Sequence, residues 1–207
     1  MLKSEEYKVI FIHNQKAAGM SIEKYFYDHV ADTQLLLPRH AYALDGIEKV
    51  GRDNWNNYYS FGFVRNPWAR IVSWYTMIAE RPDDGEDNKL WQYVRENSSG
   101  FEDFLENCTD TVTREIEGFV YKKSFVKNQM DYFTDKKGKI AVNFIGKFEN
   151  LKEDFEKIKK EAHLPNYELP LVNPTQKKDY REYYTEHTQK LVTERFKKDI
   201  EYFGYQF

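Results

Sequence analysis

A short loop near the start of the chain has the residue types of an anion-binding site. Residues 8–13 predict a buried strand, the next residues include Lys16 and Gly19, and the periodicity after Ser21 predicts a helix. Backbone N–H groups at a helix N-terminus and a lysine ammonium around one point suit a phosphate group. A Walker A loop is absent, because no G-x-x-x-x-G-K-[ST] occurs and the lysine precedes the glycine. The alternative for a lone K-x-x-G is an ordinary surface loop.

A second candidate anion site follows another predicted strand. Residues 59–64 predict that strand, and Arg65 closes it. The next helix has favourable start residues, with Asn66 as the cap and Pro67 at the first helical position. An arginine beside a helix N-terminus can hold an anion through parallel hydrogen bonds. Ser73 lies about two turns into this helix; the alternative is that Arg65 pairs with an acid and Ser73 faces solvent.

His40 is the candidate general base. Histidine titrates near neutrality and can take the proton of a hydroxyl nucleophile. His40 follows the short apolar run at residues 34–37, which predicts a second buried strand. The chain has five histidines, and a lone histidine is more often structural. We expect His13, at the end of the first strand, to pack beneath the loop.

Predicted strands alternate with predicted helices, a pattern typical of an α/β fold with a mostly parallel sheet between helices. The predicted strands span residues 8–13, 34–37, 59–64 and 140–145. In such sheets the ligand crevice lies at the carboxyl ends of the strands, so one crevice could hold both Lys16 and Arg65. We expect one domain over residues 1–207, with a helical insertion at about residues 81–134 that covers the crevice and sets its specificity.

Composition excludes several classes of function. A net charge of −3 and a pI near 6.0 argue against a nucleic-acid partner. The single cysteine excludes an internal disulfide and fits a cytoplasmic location. No apolar run approaches the roughly 18 residues of a membrane span, and no signal peptide is evident. We expect no bound metal, because there is no H-E-x-x-H or Cys/His cluster and the acidic run at residues 83–87 lacks EF-hand spacing.

Two of these segments resemble motifs of the PAPS-dependent sulfotransferases, in the branch that includes heparan and chondroitin sulfotransferases and small bacterial relatives. Residues 11–22, F-I-H-N-Q-K-A-A-G-M-S-I, are similar to the family's 5′-phosphosulfate loop, commonly F-I-H-x-P-K-T-A-G-T-S-I. Residues 63–75 are similar to its 3′-phosphate motif, with the core V-R-N-P-x-x-R-x-x-S-x-Y. Further similarity lies at residues 144–155 and 199–205, so the resemblance covers nearly the whole chain. The match is weakest at residues 83–134.

This resemblance implies a P-loop-like three-layer α/β fold and transfer of the sulfuryl group from 3′-phosphoadenosine 5′-phosphosulfate (PAPS) to an acceptor hydroxyl. The acceptor would be a small molecule or a glycan, and the nucleotide product would be adenosine 3′,5′-bisphosphate. Arg65 and Ser73 would hold the 3′-phosphate, His40 would be the base, and Lys16 would stabilise the leaving phosphate. Residues of the loop would hold the 5′-phosphosulfate: Lys16, Ala17, Ala18, Gly19, Met20, Ser21 and Ile22. Lys177 and Lys178 lie where the family returns a loop to the nucleotide.

The loop departs from the family pattern at three positions. Gln15 stands in place of proline, and Ala17 and Met20 stand in place of hydroxyl residues, which removes two side-chain donors to phosphate. These differences keep open a non-catalytic relative that binds a nucleotide or a partner protein. A P-loop-type nucleotide kinase is the other alternative, although neither a Walker A loop nor a clear Walker B aspartate is present.

Overall fold

The computed structural model describes residues 1–79, 89–116, 119–170, 172 and 178–207. The chain divides into two units, which we treat separately. The first unit comprises Met1–Arg65 and Gln129–Pro174, and the second comprises Asn66–Asn128 and Thr175–Phe207. Each unit has a hydrophobic core of its own. The single domain over residues 1–207 stays a prediction.

Strands and helices alternate through most of the chain. In chain order they are β1 (Leu2–Ser4), β2 (Val9–Ile12), α1 (Gly19–His29), β3 (Gln34–Leu35), α2 (Ala43–Val50), α3 (Arg52–Trp55), β4 (Tyr59–Val64), α4 (Pro67–Ala79), α5 (Lys89–Asn97), α6 (Phe101–Asn107), β5 (Val112–Ile116), β6 (Phe119–Lys123), β7 (Phe144–Lys147), α7 (Leu151–Glu161), α8 (Glu186–Arg195) and α9 (Lys197–Phe203). Short 3-10 helices lie at Gln129–Phe133, Phe148–Asn150 and Tyr180–Tyr183.

A five-stranded sheet in the order β3-β1-β2-β4-β7 forms the centre of the first unit. β2, β4 and β7 are parallel, with Ile12 opposite Gly62 and Val64 opposite Lys147. β1 is antiparallel to both of its neighbours, so the other four strands share one direction. The prediction of an α/β fold with a mostly parallel sheet flanked by helices is confirmed, and the finer P-loop-like class stays a prediction. The segments after β2, β4 and β7 therefore leave the sheet at the same edge.

The central strands are apolar because the sheet is covered on both sides. β2, with the sequence Val-Ile-Phe-Ile, is buried throughout. Aromatic and branched side chains from the sheet, α1 and α7 pack together in one core. Burying each large apolar side chain stabilises the fold by roughly 1.5–3 kcal/mol. Its buried members are Leu2, Val9, Phe11, Ala17, Ile22, Tyr25, Phe26, Val30, Phe61, Phe63, Phe155, Ile158, Ala162 and Leu164.

Gly62 allows the 3-10 helix Gln129–Phe133 to pack directly on β4. A Cβ atom at this position would lie 2.3 Å from Cε1 of Phe133 and 2.8 Å from the carbonyl oxygen of Ile12. No side chain fits in that space, so the 3-10 helix lies close to the backbone of the strand. This contact fixes where Gln129, at the other end of the same short helix, can reach.

Two predicted strands differ from those observed in the first unit. The strand predicted at residues 34–37 is shorter, and Gln34 and Leu35 are exposed rather than buried. It lies at the edge of the sheet because residues 2–4 form β1, which was not predicted and occupies the place between β3 and β2. The strand predicted at residues 140–145 begins four residues later, at Phe144, because Ile140 instead forms an isolated bridge with Thr134.

The predicted helical insertion is only partly helical. α5 and α6 are helices, but β5 and β6 form an antiparallel hairpin. Its sequence, Val-Thr-Arg-Glu-Ile and Phe-Val-Tyr-Lys-Lys, is rich in the β-branched and aromatic residues that favour strands. The acidic run at residues 83–87 lies outside the described residues. In the part of the chain that the structure describes, no helix is long and apolar enough to cross a membrane.

The second unit packs its helices around an aromatic core. Its buried members are Trp68, Ile71, Trp74, Ile78, Leu90, Val94, Phe104, Leu105, Cys108, Phe125, Val192 and Phe196. The single helix predicted after residue 181 is instead the pair α8 and α9, because the backbone leaves the helical region at the buried Phe196, with φ −108° and ψ 25°. α4 begins as the sequence predicts. The Asn66 side chain accepts hydrogen bonds from Trp68 N at 3.0 Å and Ala69 N at 3.2 Å.

The Asn66 cap should be measurable as stability. Its side chain satisfies two amides at the start of α4 and also donates from Nδ2 to the carbonyl oxygen of Gln206 at 2.9 Å. We expect Asn66→Ala to lower the free energy of unfolding by about 1–2 kcal/mol. Asn66→Ser keeps a capping oxygen and should lose less than half as much. Urea unfolding of both variants tests this, and equal losses would contradict the capping role.

Candidate active site

The loop between β2 and α1 is held in a strained backbone conformation. Lys16 has φ 62° and Ala18 has φ 63°, both in the left-handed region. This conformation costs a non-glycine residue on the order of 1–3 kcal/mol, and such strain concentrates at functional sites. α1 begins at Gly19, and its first turn contains no acidic residue. The partial positive charge of the helix N-terminus is therefore not offset within that turn.

The side chains of the loop differ in what they can offer to an anion. Lys16 is half-buried, Met20 is 41% exposed, and Ala17 is buried in the core of the first unit. The core also contains the side chain of Ile22, so Ala17 and Ile22 can offer only backbone groups. Ser21 Oγ accepts a hydrogen bond from Val172 N at 3.1 Å and keeps its own O–H as a donor. The anion-binding groups of this loop are thus mainly backbone amides and one ammonium.

The buried side chains of His13 and Glu23 form a network with the exposed Arg39 beneath the loop. His13 Nδ1 lies 2.7 Å from Glu23 Oε1, so the imidazole N–H donates to the carboxylate. Arg39 Nε donates to Glu23 Oε2 at 2.8 Å, and its Nη2 lies 2.7 Å from the same oxygen. The ring of His40 meets that of His13 edge to face, with centroids 5.0 Å apart. The network therefore positions His13, and His13 forms one side of the surroundings of His40.

Burial and the hydrogen bonds within the network together set its charge state. It lowers the pKa of His13, although the Glu23 carboxylate partly opposes the effect. Burial alone would raise the pKa of Glu23, but the hydrogen bonds and charges of His13 and Arg39 outweigh it and lower this pKa. At neutral pH the network therefore holds a neutral His13 beside an ionised Glu23 that is paired with Arg39.

Gly19 is required by its contact with His13. A Cβ atom on residue 19 would lie 1.9 Å from Nε2 of the imidazole and 2.0 Å from Cδ2. A glycine in an anion-binding loop also lets the backbone approach a ligand closely. The structure gives it a second role, since the start of α1 rests on the His13 ring.

Arg65 lies at the end of β4, next to the aromatic ring of Phe148. The residue is only 6% exposed, and its Cζ lies 4.3 Å from the centroid of the Phe148 ring. Phe148 directly follows β7, the parallel neighbour of β4. A guanidinium over an aromatic face is favourable, and its planar set of N–H donors matches the oxygens of a phosphate.

Two buried amides, which the sequence analysis did not single out, connect Arg65 to the loop. Gln129 Oε1 accepts hydrogen bonds from Arg65 N at 2.9 Å and from Asn14 Nδ2 at 3.1 Å. Gln129 Nε2 donates to the carbonyl oxygen of Arg65 at 2.7 Å. Asn14 Nδ2 also donates to the carbonyl oxygen of Phe63 at 2.9 Å. Residues 14 and 129 are far apart in sequence, and no motif or periodicity points to their pairing.

The structure brings some predicted site residues together within the first unit. His40 adjoins His13, which immediately precedes the loop, and Arg65 is linked to Asn14 through Gln129. Ser73 belongs to the second unit, where it lies on α4 and is 2% exposed. Lys178 is exposed in that unit, and Lys177 lies outside the described residues. The roles assigned to these residues stay predictions.

One group of possible metal-ligating side chains occurs among the described residues. Glu102, Glu106 and His187 place their ligand atoms within 4.8 Å of one another, and all three are exposed. His187 Nε2 lies 3.0 Å from Glu106 Oε1, which a simple hydrogen bond accounts for. Exposed acids at such distances are common without a metal, so the sequence-based expectation of no metal stays a prediction.

Comparison with known proteins gives one match over nearly the full length. The profile described as "Sulfotransferase family" matches residues 1–206. A protein of Archaeoglobus fulgidus, named only as uncharacterized, is 27% identical over 135 residues, which cover 64% of this chain and 91% of that protein. No solved structure gives a significant match.

The contact between Gly19 and His13 can be tested by a double-mutant cycle. Gly19→Ala should lower the free energy of unfolding by about 1–3 kcal/mol, because the added methyl overlaps the imidazole. With His13→Ala in the same chain, the added loss should shrink by about 1 kcal/mol or more. Gly100→Ala is the control, since no atom lies within 4 Å of a Cβ there. Additive losses in urea unfolding would show that the two residues do not constrain each other.

The lowered pKa of His13 predicts a loss of stability in mild acid. Below the ordinary value of 6.5 the unfolded chain takes up a proton at residue 13, whereas the folded chain keeps this imidazole neutral. The free energy of unfolding should therefore fall as pH decreases from 7.5 to 5.5, by at most about 1.4 kcal/mol per pH unit below 6.5 from this group. His13→Gln should show a shallower slope in urea titrations. An equal slope in the two proteins would rule out His13 as the source.

Proposed function

The chain belongs to the sulfotransferase family, and from this premise we propose that it transfers the sulfuryl group of PAPS to an acceptor hydroxyl. The observation that carries the proposal is the placement of two cationic groups at one sheet edge. The Lys16 loop and Arg65 follow the adjacent parallel strands β2 and β4, and Asn14 and Gln129 join them. A nucleotide with separate 5′ and 3′ phosphate groups needs two such anion-binding points.

The donor set fits PAPS in its chemistry. The 5′-phosphosulfate would be held by the ammonium of Lys16, the Ser21 hydroxyl and the amides at the start of α1, where no acidic residue lies in the first turn. The 3′-phosphate would be held by the guanidinium of Arg65, with Ser73 assigned to the same group by the sequence motif alone. These ligands are amides, hydroxyls and cations, so the proposed binding needs no metal ion.

His40 is proposed as the general base. It is half-buried, has φ 69°, and contacts the ring of His13. Because burial keeps His13 neutral, this neighbour adds no positive charge that would oppose proton uptake by His40. Arg39, which precedes His40 in the sequence, forms an ion pair with Glu23.

Bound PAPS supplies an activated sulfuryl group on a phosphate leaving group. His40 takes the proton of the acceptor hydroxyl while the hydroxyl oxygen forms its bond to sulfur and the bond between sulfur and the phosphate oxygen breaks. Lys16 and the loop amides stabilise the negative charge that grows on the departing phosphate. The products are a sulfate ester, proposed to be on a carbohydrate, and adenosine 3′,5′-bisphosphate.

Two measurements separate this proposal from the alternatives. Calorimetry with adenosine 3′,5′-bisphosphate in the presence of a chelator should detect binding, whereas ATP with Mg²⁺ should bind more weakly. The opposite order would favour a nucleotide kinase. Transfer of labelled sulfate from PAPS to a panel of sugars and small alcohols should then distinguish an enzyme from a non-catalytic relative.

A cytoplasmic location and the lack of a nucleic-acid partner stay predictions from the sequence.

Removing the proposed base should affect the chemical step alone. His40→Ala is expected to lower kcat by about 10²–10⁴ because general-base help is lost. The dissociation constant for adenosine 3′,5′-bisphosphate should change by less than about threefold, since His40 is not among the proposed phosphate ligands. His163→Ala is a matched control, because His163 is exposed and also has a positive φ of 52°. Unchanged turnover in the His40 variant would remove it from this role.

A further inference from the structure

Gln129 uses its whole amide to hold the backbone of Arg65. The side chain is fully buried, and its Oε1 and Nε2 bond Arg65 N and Arg65 O at 2.9 and 2.7 Å. Both backbone groups of one residue are thus satisfied by a single side chain, as a neighbouring strand would do within a sheet. Because both bonds have fixed directions, they define where the Arg65 side chain leaves the end of β4.

The same amide also reaches the other predicted anion site. Gln129 Oε1 accepts from Asn14 Nδ2, and this nitrogen donates in addition to Phe63 O. Asn14 is buried and precedes Lys16 by two residues. Asn14 and Gln129, which we call the amide bridge, therefore link the segment after β2 to the end of β4.

Gln129 itself is anchored independently of both phosphate sites. It begins the 3-10 helix Gln129–Phe133, and the ring of Phe133 packs against the backbone at Gly62. The loop has further supports of its own, namely the packing of Ala17 in the core and the contact of Gly19 with His13. Loss of the bridge should therefore displace Arg65 more than the Lys16 loop.

We propose that Gln129 is a positioning residue that, with Asn14, fixes the separation between the Lys16 loop and Arg65. It thereby sets the preference for a nucleotide that carries 5′ and 3′ phosphates over one that carries a 5′ phosphate alone. This inference rests on the proposed function. Gln129 touches no ligand in this role and acts only through the backbone of Arg65.

The experiment compares two nucleotides in calorimetry, adenosine 3′,5′-bisphosphate and adenosine 5′-monophosphate. In the unmodified protein the bisphosphate should bind more tightly. The preference is the dissociation constant of the monophosphate divided by that of the bisphosphate. Gln129→Leu should reduce this ratio by about tenfold or more, while the dissociation constant of the monophosphate changes by less than about threefold. The same substitution at the exposed Gln34 is the control and should leave both constants unchanged.

A double variant separates positioning from a general loss of stability. Arg65→Met should lower the same ratio, because it removes the guanidinium proposed to bind the 3′-phosphate. If Gln129 acts through Arg65, then Gln129→Leu should cause little further loss of preference in the Arg65→Met background. A purely structural effect of Gln129 would weaken both nucleotides equally, and that result would overturn the inference.

A second variant covers the case in which Gln129→Leu does not fold. Gln129→Glu keeps the acceptor oxygen for Arg65 N and Asn14 but replaces the Nε2 donor by an oxygen that faces Arg65 O. Relative to the unmodified protein it should lower the preference for the bisphosphate by about threefold or more, and an unchanged preference would overturn the inference. Absence of bisphosphate preference in the unmodified protein is a different result. It would refute the proposed function itself, before any substitution is made.

Discussion

The parallel pairing of β2 with β4 is the constraint on which the other features depend. It places Ile12 opposite Gly62, so the segments that follow both strands leave at one edge of the sheet. Backbone groups at this edge have lost their strand partners and are buried, and such groups are costly unless they form hydrogen bonds. The amide bridge of Asn14 and Gln129 supplies those bonds. A requirement of the backbone thus gives the candidate site its geometry.

Electrostatics and strain converge on the same edge. The left-handed backbone of Lys16, Ala18 and His40 lies in the two segments that flank His13. The buried acid of this region, Glu23, forms hydrogen bonds and an ion pair with His13 and Arg39. It lies beyond the first turn of α1, so it does not offset the positive end of that helix as a first-turn acid would. The start of α1 therefore keeps its positive potential, which would stabilise a negatively charged ligand bound there.

The fold and the site differ in how far the sequence determines them locally. β2, α1, β4 and the start of α4 follow from apolar runs, helical spacing and the cap at Asn66, which act over a few residues. β1 is only three residues long and pairs across the sheet, so its sequence has no period to detect. The pairing of Asn14 with Gln129 and the contact of Gly19 with His13 depend on the directions of individual side chains in the folded chain. Propensity and periodicity contain no information about such directions.

The burial of Ala17 has a consequence for the thermodynamics of binding. Its methyl group packs among the side chains of the core, so the loop is ordered as soon as the first unit folds. A loop that closed over its ligand would lose conformational entropy at that moment, and the affinity would be reduced accordingly. Here that entropy is already lost during folding. An anion at the loop would meet a rigid receptor, and its binding energy would also raise the melting temperature of the first unit.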